Sequence, residues 1–214
     1  ECFKSPYVHI GMDEAFMLGL GKYMQQHGFR NRFDIFNEHL NKVVDMATSY
    51  GLKPIMWSDM FFRLANKGEY YTENPVFPKE IINKIPANVG LVYWDYYHTD
   101  EKYFTKMIKA HKEADNELWF AGGGWTFTGF ASGNKYTLET MVPAMKAAKN
   151  ENVDNIFIAM WGDNGKECSY FSMLPCLYKL RCVYDGETDE KTNKSNFKNI
   201  VGEDYDSLSD LDIP

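Results

Sequence analysis

Two adjacent carboxyls, Asp13 and Glu14, follow the short run Tyr7-Val8-His9-Ile10-Gly11, and a pair of this kind is a candidate for acid–base chemistry. Like charges at close range do not ionise independently: one carboxylate stays charged while its partner is pushed toward the protonated form. That is the division of labour acid–base catalysis can use. The same two residues also suit a plainer role, Asp13 capping a helix that begins near Ala15 and Glu14 complementing its dipole. The residues alone leave both readings open.

The tryptophans sharpen the chemistry. Of five, Trp57, Trp94, Trp125 and Trp161 each stand at the end of an apolar run, while Trp119 lies inside one. They occur in Trp57-Ser58-Asp59, Trp94-Asp95-Tyr96-Tyr97, Gly124-Trp125 and Trp161-Gly162-Asp163-Asn164. An indole offers a flat apolar face to the C–H face of a sugar ring and keeps an N–H for a partner. Acids and an amide between such faces can take hydroxyl hydrogens, so carbohydrate is the first substrate class to consider.

These residues need elements to position them. Strands are expected at Tyr7 to Gly11, Lys53 to Trp57, Leu91 to Trp94, Leu118 to Ala121 and Ile156 to Met160. Helical spacing is expected over Phe33 to Tyr50, Lys79 to Ile85, Lys102 to His111, Leu138 to Lys149 and Cys168 to Val183. Met17, Leu18 and Leu20 read as helix packing. Strict β–α alternation with continuous apolar strands indicates a parallel sheet covered by helices.

The first strand runs into Gly11-Met12-Asp13-Glu14 rather than a glycine-rich phosphate turn, which favours a barrel over a doubly wound sheet. Gly122-Gly123-Gly124 lacks phosphate-loop spacing and reads as room for backbone to pass close to a ligand or neighbour. The expected fold is therefore α/β, a partial (β/α)8 barrel of about five strands and their helices. In such a barrel the C-terminal strand ends carry the active site, and a closed one needs eight strands. An upstream segment is thus expected to be absent from this chain, and its two sheet edges are expected to pair with the missing N-terminal barrel half or a second copy. Residues 1–184 are assigned to the barrel and 185–214, polar and acidic, to a tail or the start of a following segment. Phe197 and Ile200 hint at one helical turn there.

Of the formal charge of −7, nine acids against three lysines from Asp185 onward account for −6, so the body is near neutral. That leaves no basic face for a nucleic acid, and no apolar run approaches the ~18 to 20 residues that cross a bilayer. Cys2, Cys168, Cys176 and Cys182 form no CxxC and have no His at metal spacing, so they read as reduced core thiols, with a lean toward a cytoplasmic setting. No metal or cofactor is expected. A lysine-dependent aldolase-like chemistry finds no candidate, since Lys53 and Lys166 are poorly placed. His9 reads as a local packing residue, His98 as a rim contact, and His27, His39 and His111 as surface residues.

The motif His9-Ile10-Gly11-Met12-Asp13-Glu14 resembles the H-x-G-x-D-E signature of glycoside hydrolase family 20, the β-N-acetylhexosaminidases, with Met12 in place of a second glycine. Met56-Trp57-Ser58-Asp59, Tyr93-Trp94-Asp95-Tyr96-Tyr97 and Met160-Trp161-Gly162-Asp163-Asn164 are similar to later strand-end motifs of that family, so the resemblance runs from Tyr7 to about Tyr184 and makes the chain the C-terminal half of such a barrel. It implies exo-hydrolysis of a terminal N-acetylhexosamine in which the substrate's own acetamido oxygen is the nucleophile. Glu14 would then be the acid/base, and Asp13 would orient the acetamido group. Trp57, Trp94 and Trp161 would wall the acetamido slot, and Asp163 with Asn164 would bind sugar hydroxyls. The family's strand-seven tyrosine has no counterpart here, because that strand runs into Gly122-Gly123-Gly124-Trp125. Tyr96, two residues beyond Trp94 and on the same side of an extended chain, would be the substitute, or else a surface loop tyrosine. Trp125 is either a platform for the leaving sugar or a loop anchor. The competing expectation is an inactive barrel remnant or a carbohydrate-binding module that keeps the pocket without hydrolysis.

Overall fold

The computed structural model describes residues 4–165 and 167–212. The readings made of Cys2, of Lys166 and of the Asn164 side chain lie outside the described residues.

The strands β1 (Tyr7–His9), β2 (Lys53–Trp57), β3 (Gly90–Asp95), β4 (Leu118–Gly123) and β5 (Asn155–Ala159) form one sheet in that order. Among them run α1 (Lys22–His27), α2 (Arg32–Ser49), α3 (Asp59–Ala65), α4 (Lys79–Ile82), α5 (Glu101–Lys112) and α6 (Asn134–Asn150), followed by α7 (Leu174–Asp185), α8 (Glu190–Val201) and α9 (Tyr205–Ser209). Single-turn 3-10 helices occupy Asp163–Gly165 and Tyr170–Met173. This is the strand–helix alternation of a partial (β/α)8 barrel. By internal packing the chain divides into two compact units, Glu1–Trp94 with Lys106–Trp119, and Asp95–Thr105 with Phe120–Pro214.

In the first unit β1 pairs with β2 in parallel, Tyr7 opposite Lys53, and β2 pairs in parallel with β3, Ile55 opposite Gly90. Helix α2 starts where Asn31 accepts hydrogen bonds from the Phe33 and Asp34 amides, satisfying donors the helix cannot. Its buried stripe of Phe36, Leu40, Val44 and Ala47 follows the helical repeat. Phe61 and Phe62 on α3 extend this core, with Phe36 edge-on to Phe61 at 5.5 Å and Phe77 stacked on Phe62 at 4.8 Å.

No helix starts at Ala15. Gly11, Met12, Glu14, Gly19 and Gly21 all have φ between 47° and 77°, a left-handed backbone that cannot propagate a right-handed helix. Residues 16–19 form turns instead, so Asp13 is not a helix cap, and Met17 and Leu20, expected to pack on a helix, are exposed. Arg32 ties this loop down, donating to the carbonyls of Leu18 at 3.0 Å and Phe16 at 2.6 Å.

In the second unit α6 buries Met141, Ala144, Met145 and Ala148. The glycine run makes room for neighbours: a Cβ on Gly122 would sit 2.4 Å from the Met141 sulfur, and one on Gly123 would sit 2.6 Å from the Tyr96 ring. Cys168, Cys176 and Cys182 are buried free thiols as expected, and burial pushes the Cys176 thiol up to about 12.

The acidic segment after Asp185, expected to be loop or frayed tail with one helical turn, carries two helices. Its acids serve as caps: Asp189 accepts from the Lys191 and Thr192 amides, and Asp204 from that of Ser207. Phe197 is fully buried, edge-on to Tyr178 at 5.4 Å and Tyr205 at 5.2 Å. Beyond it, the Asp212 carboxylate accepts from the Asn134 and Lys135 amides at 2.8 and 3.1 Å. That supplies the start of α6 with the cap that Gly133 has no side chain to give.

Candidate active site

In the first unit, the ends of β1, β2 and β3 lead into Asp13-Glu14, Trp57-Ser58-Asp59 and Trp94. A fully buried carboxylate there, Asp59, is 0% exposed and anchors a group of contacts. Its Oδ2 accepts the Glu14 amide at 3.2 Å and the Arg63 Nε–H at 2.9 Å. Arg63 sits one helical turn further along α3, so carboxylate and guanidinium share a face. Its Nη2 lies 3.5 Å from Glu14 Oε1, and its Nη1 donates to the Gly68 carbonyl at 3.1 Å. The guanidinium also lies over the Phe16 ring at 4.9 Å and the Tyr70 ring at 5.7 Å.

Burial raises the Asp59 carboxyl above the usual carboxylate range, against the pull of Arg63, the Glu14 amide and the Trp94 indole. Glu14 has a side chain 50% exposed. Partial burial nonetheless raises its carboxyl as well, opposed by Arg63 and assisted by the charges of Asp59 and Asp13. A carboxyl held above its ordinary range keeps its proton to higher pH than a free one, which suits a general acid.

Asp13 is exposed and lines a pocket of about 400 Å³ with Met12, Leu18, Tyr23, Phe36 and His39. Trp57 is buried, its ring 4.4 Å from that of His9. His9 Nδ1 accepts the Gly11 amide at 3.1 Å, the local bonding expected of it. Burial lowers the His9 imidazole, with Asp13 opposing. Trp94 is buried against Tyr70 at 5.0 Å and Tyr71 at 5.7 Å, and Tyr71 donates its hydroxyl to the Trp94 carbonyl at 3.1 Å. The structure thus brings Glu14, Asp59, Arg63 and Trp94 together, while Asp13, beside Glu14 in the chain, lines the pocket against α1 and α2.

In the second unit Tyr96 is buried rather than a surface tyrosine. Its hydroxyl accepts the Trp161 indole N–H at 3.2 Å, and its carbonyl accepts that of Trp125 at 3.1 Å. Tyr97 packs edge-on to Trp125 at 5.8 Å. Trp161 is 42% exposed, and Asp163 is exposed on its 3-10 turn. Tyr96, Tyr97, Trp125 and Trp161 form one cluster. His98, expected at a rim, donates from Nδ1 to the buried Asp95 at 2.8 Å and stacks on Tyr103 at 3.8 Å.

His111 corrects the expectation of a surface residue. It is 1% exposed, donates Nδ1–H to the Met107 carbonyl at 2.7 Å, and lies 2.7 Å from the Ser58 hydroxyl through Nε2. That hydroxyl also lies 3.0 Å from the Val92 carbonyl, so its single proton serves two acceptors. Burial lowers the His111 imidazole to about 4. Asp59 and Arg63 were not singled out as site residues from sequence, although Asp59 stands at a strand end and the four-residue step to Arg63 was readable. The missing signal was α3 itself, which follows β2 without a loop.

Among the described residues no group of three or more His, Cys, Asp or Glu could hold a metal ion, and no helix is long and apolar enough to cross a membrane.

No family model matches the chain, and no curated protein matches it. Solved structures do. The chain is similar to the β-N-acetylhexosaminidase from Bacteroides fragilis NCTC 9343, at 14% identity and TM-score 0.50, over 96% of this chain and 41% of that one. It is similar to the GH20 exo β-N-acetylglucosaminidase from Vibrio harveyi, in complex with N-acetylglucosamine, at 13% identity and TM-score 0.51, over 96% of this chain and 32% of that one. An inactive mutant of the Vibrio harveyi enzyme matches at 14% identity and TM-score 0.51, over 98% and 33%. At such identities the likeness is one of fold, a partial (β/α)8 barrel of the kind these glycoside hydrolases contain. The chain spans 32% to 41% of the length of the structures it matches.

Proposed function

We propose that the chain carries the acid/base end of a β-N-acetylhexosaminidase that removes terminal N-acetylglucosamine or N-acetylgalactosamine by a retaining, substrate-assisted mechanism. The observation that carries this reading is Glu14, a carboxyl raised by partial burial and held by its own amide on buried Asp59 at the end of a barrel strand. On this reading protonated Glu14 donates to the glycosidic oxygen as the acetamido oxygen attacks the anomeric carbon, closing an oxazolinium ring and breaking the bond to the aglycone. The Glu14 carboxylate then takes a proton from water, which opens the ring. Asp13 orients the acetamido N–H, and Trp57 and Trp94 supply apolar wall. Tyr96, Trp125, Trp161, Asp163 and Asn164 are assigned to the sugar on the same reading. The partner this assigns is an oligosaccharide ending in N-acetylhexosamine, with the remaining barrel strands supplied by a missing N-terminal half or a second copy.

A second reading, a carbohydrate-binding remnant without hydrolysis, draws on the exposed Asp13, which lines a pocket with residues of α1 and α2. The assay that separates the two is release of a chromogenic aglycone from β-linked N-acetylglucosamine and N-acetylgalactosamine, by this chain and by a form extended upstream. Release is expected. Failure of both forms, with N-acetylglucosamine still bound, supports the remnant.

A further inference from the structure

We infer that Arg63, fixed by Asp59, is the positioning residue that sets the protonation and aim of Glu14. The inference rests on the acid/base role proposed for Glu14 and adds the group that governs it.

The geometry is that of a clamp. Asp59 uses one oxygen for two donors, the Glu14 amide and Arg63 Nε–H, so the backbone of the acid and the root of the cation share an anchor. Arg63 is then held from three further sides, by the Gly68 carbonyl and by the Phe16 and Tyr70 rings, which leaves its Nη2 directed at Glu14. A guanidinium with a fixed planar fork loses little freedom on making such a contact.

The charged groups facing Glu14 are Arg63 and Asp59 from α3 and Asp13 beside it in the chain. Arg63 favours the carboxylate, while the two aspartates and partial burial favour the acid. Removing Arg63 leaves only groups that raise Glu14. On the proposed reaction this moves the basic limb of the kcat/KM profile to higher pH, because that limb reports loss of the protonated acid in the free enzyme. It also lowers the plateau by roughly three- to tenfold, because the carboxyl is no longer aimed.

The experiment follows the Glu14 side-chain carboxyl by carbon-detected NMR titration in the 214-residue chain and in Arg63→Gln, with pH profiles of aglycone release run alongside. The expected result is an upward displacement of the Glu14 titration in Arg63→Gln. Arg63→Lys, which keeps the charge without the fork, is expected to shift it less in the same direction and serves if the Gln variant does not fold. A Glu14 titration unchanged in both variants overturns the inference. The titration needs no turnover, so a chain that shows the displacement but releases no aglycone sinks the hydrolase reading and leaves the coupling of Arg63 to Glu14 standing.

Discussion

The amide of Glu14 donates to Oδ2 of Asp59 across 45 residues of sequence, at 3.2 Å. One buried carboxylate thereby holds the acid's backbone at a φ of 47°, which a non-glycine residue adopts only when its surroundings insist. Replacing Asp59 by Ala removes that hold and takes from Arg63, which is largely buried, its shorter ion pair. Unpairing a buried ion pair typically costs about 3 to 5 kcal/mol, and partial exposure of Arg63 places this case near the lower end. Urea unfolding of Asp59→Ala should show a lower midpoint with an unchanged slope.

Glu14→Gln removes the proton donor with little change of shape. For substrates with poor leaving groups, which need protonation, kcat/KM should fall by about 10²-fold or more, while activated aryl glycosides should lose far less. Equal losses on both classes would contradict an acid role.

The pH dependence of stability should carry the mark of His111. Its imidazole is lowered from 6.5 to about 4 in the fold. Between those values the unfolded chain binds a proton that the folded chain refuses, so stability falls as the pH drops through that window and this contribution levels off below it. The full effect is on the order of 3 kcal/mol. His111→Gln should flatten that part of the curve, as read from thermal midpoints between pH 4 and 7.

Gly123→Ala tests how tightly Tyr96 is seated. The added methyl would sit 2.6 Å from the Tyr96 ring, an overlap that must displace ring or strand. Overpacking of this kind costs about 1 to 3 kcal/mol. The near-ultraviolet circular dichroism of the cluster of Tyr96, Trp125 and Trp161 should change, and an unaltered spectrum would mean the ring has room to give.

Much of the fold was legible in the residues. The five strands and the helices from Arg32, Glu101 and Asn134 fall within a few residues of their expected bounds, because apolar periodicity reports which face is buried. What periodicity does not report is chirality of the backbone: Met12 and Glu14 are unremarkable residue types, and their left-handed conformations erase the helix that Ala15, Met17 and Leu18 suggest. Nor does it report distant partners. The acids after Asp185 read as solvated because nothing local showed that Asp189 and Asp204 begin helices or that Phe197 has Tyr178 waiting for it. His111 was misread for a related reason, since the apolar face of α5 extends to an imidazole whose partner, Ser58, stands 53 residues earlier.

The cap that Asp212 places on α6 links chain positions 78 residues apart. An affinity tag crowded against the C-terminus, or an exopeptidase that trims past Asp212, would therefore be felt not locally but at Asn134, where the first turn of a long helix would fray and admit an endoprotease. Handling of the recombinant chain is best arranged with any fusion kept away from that end.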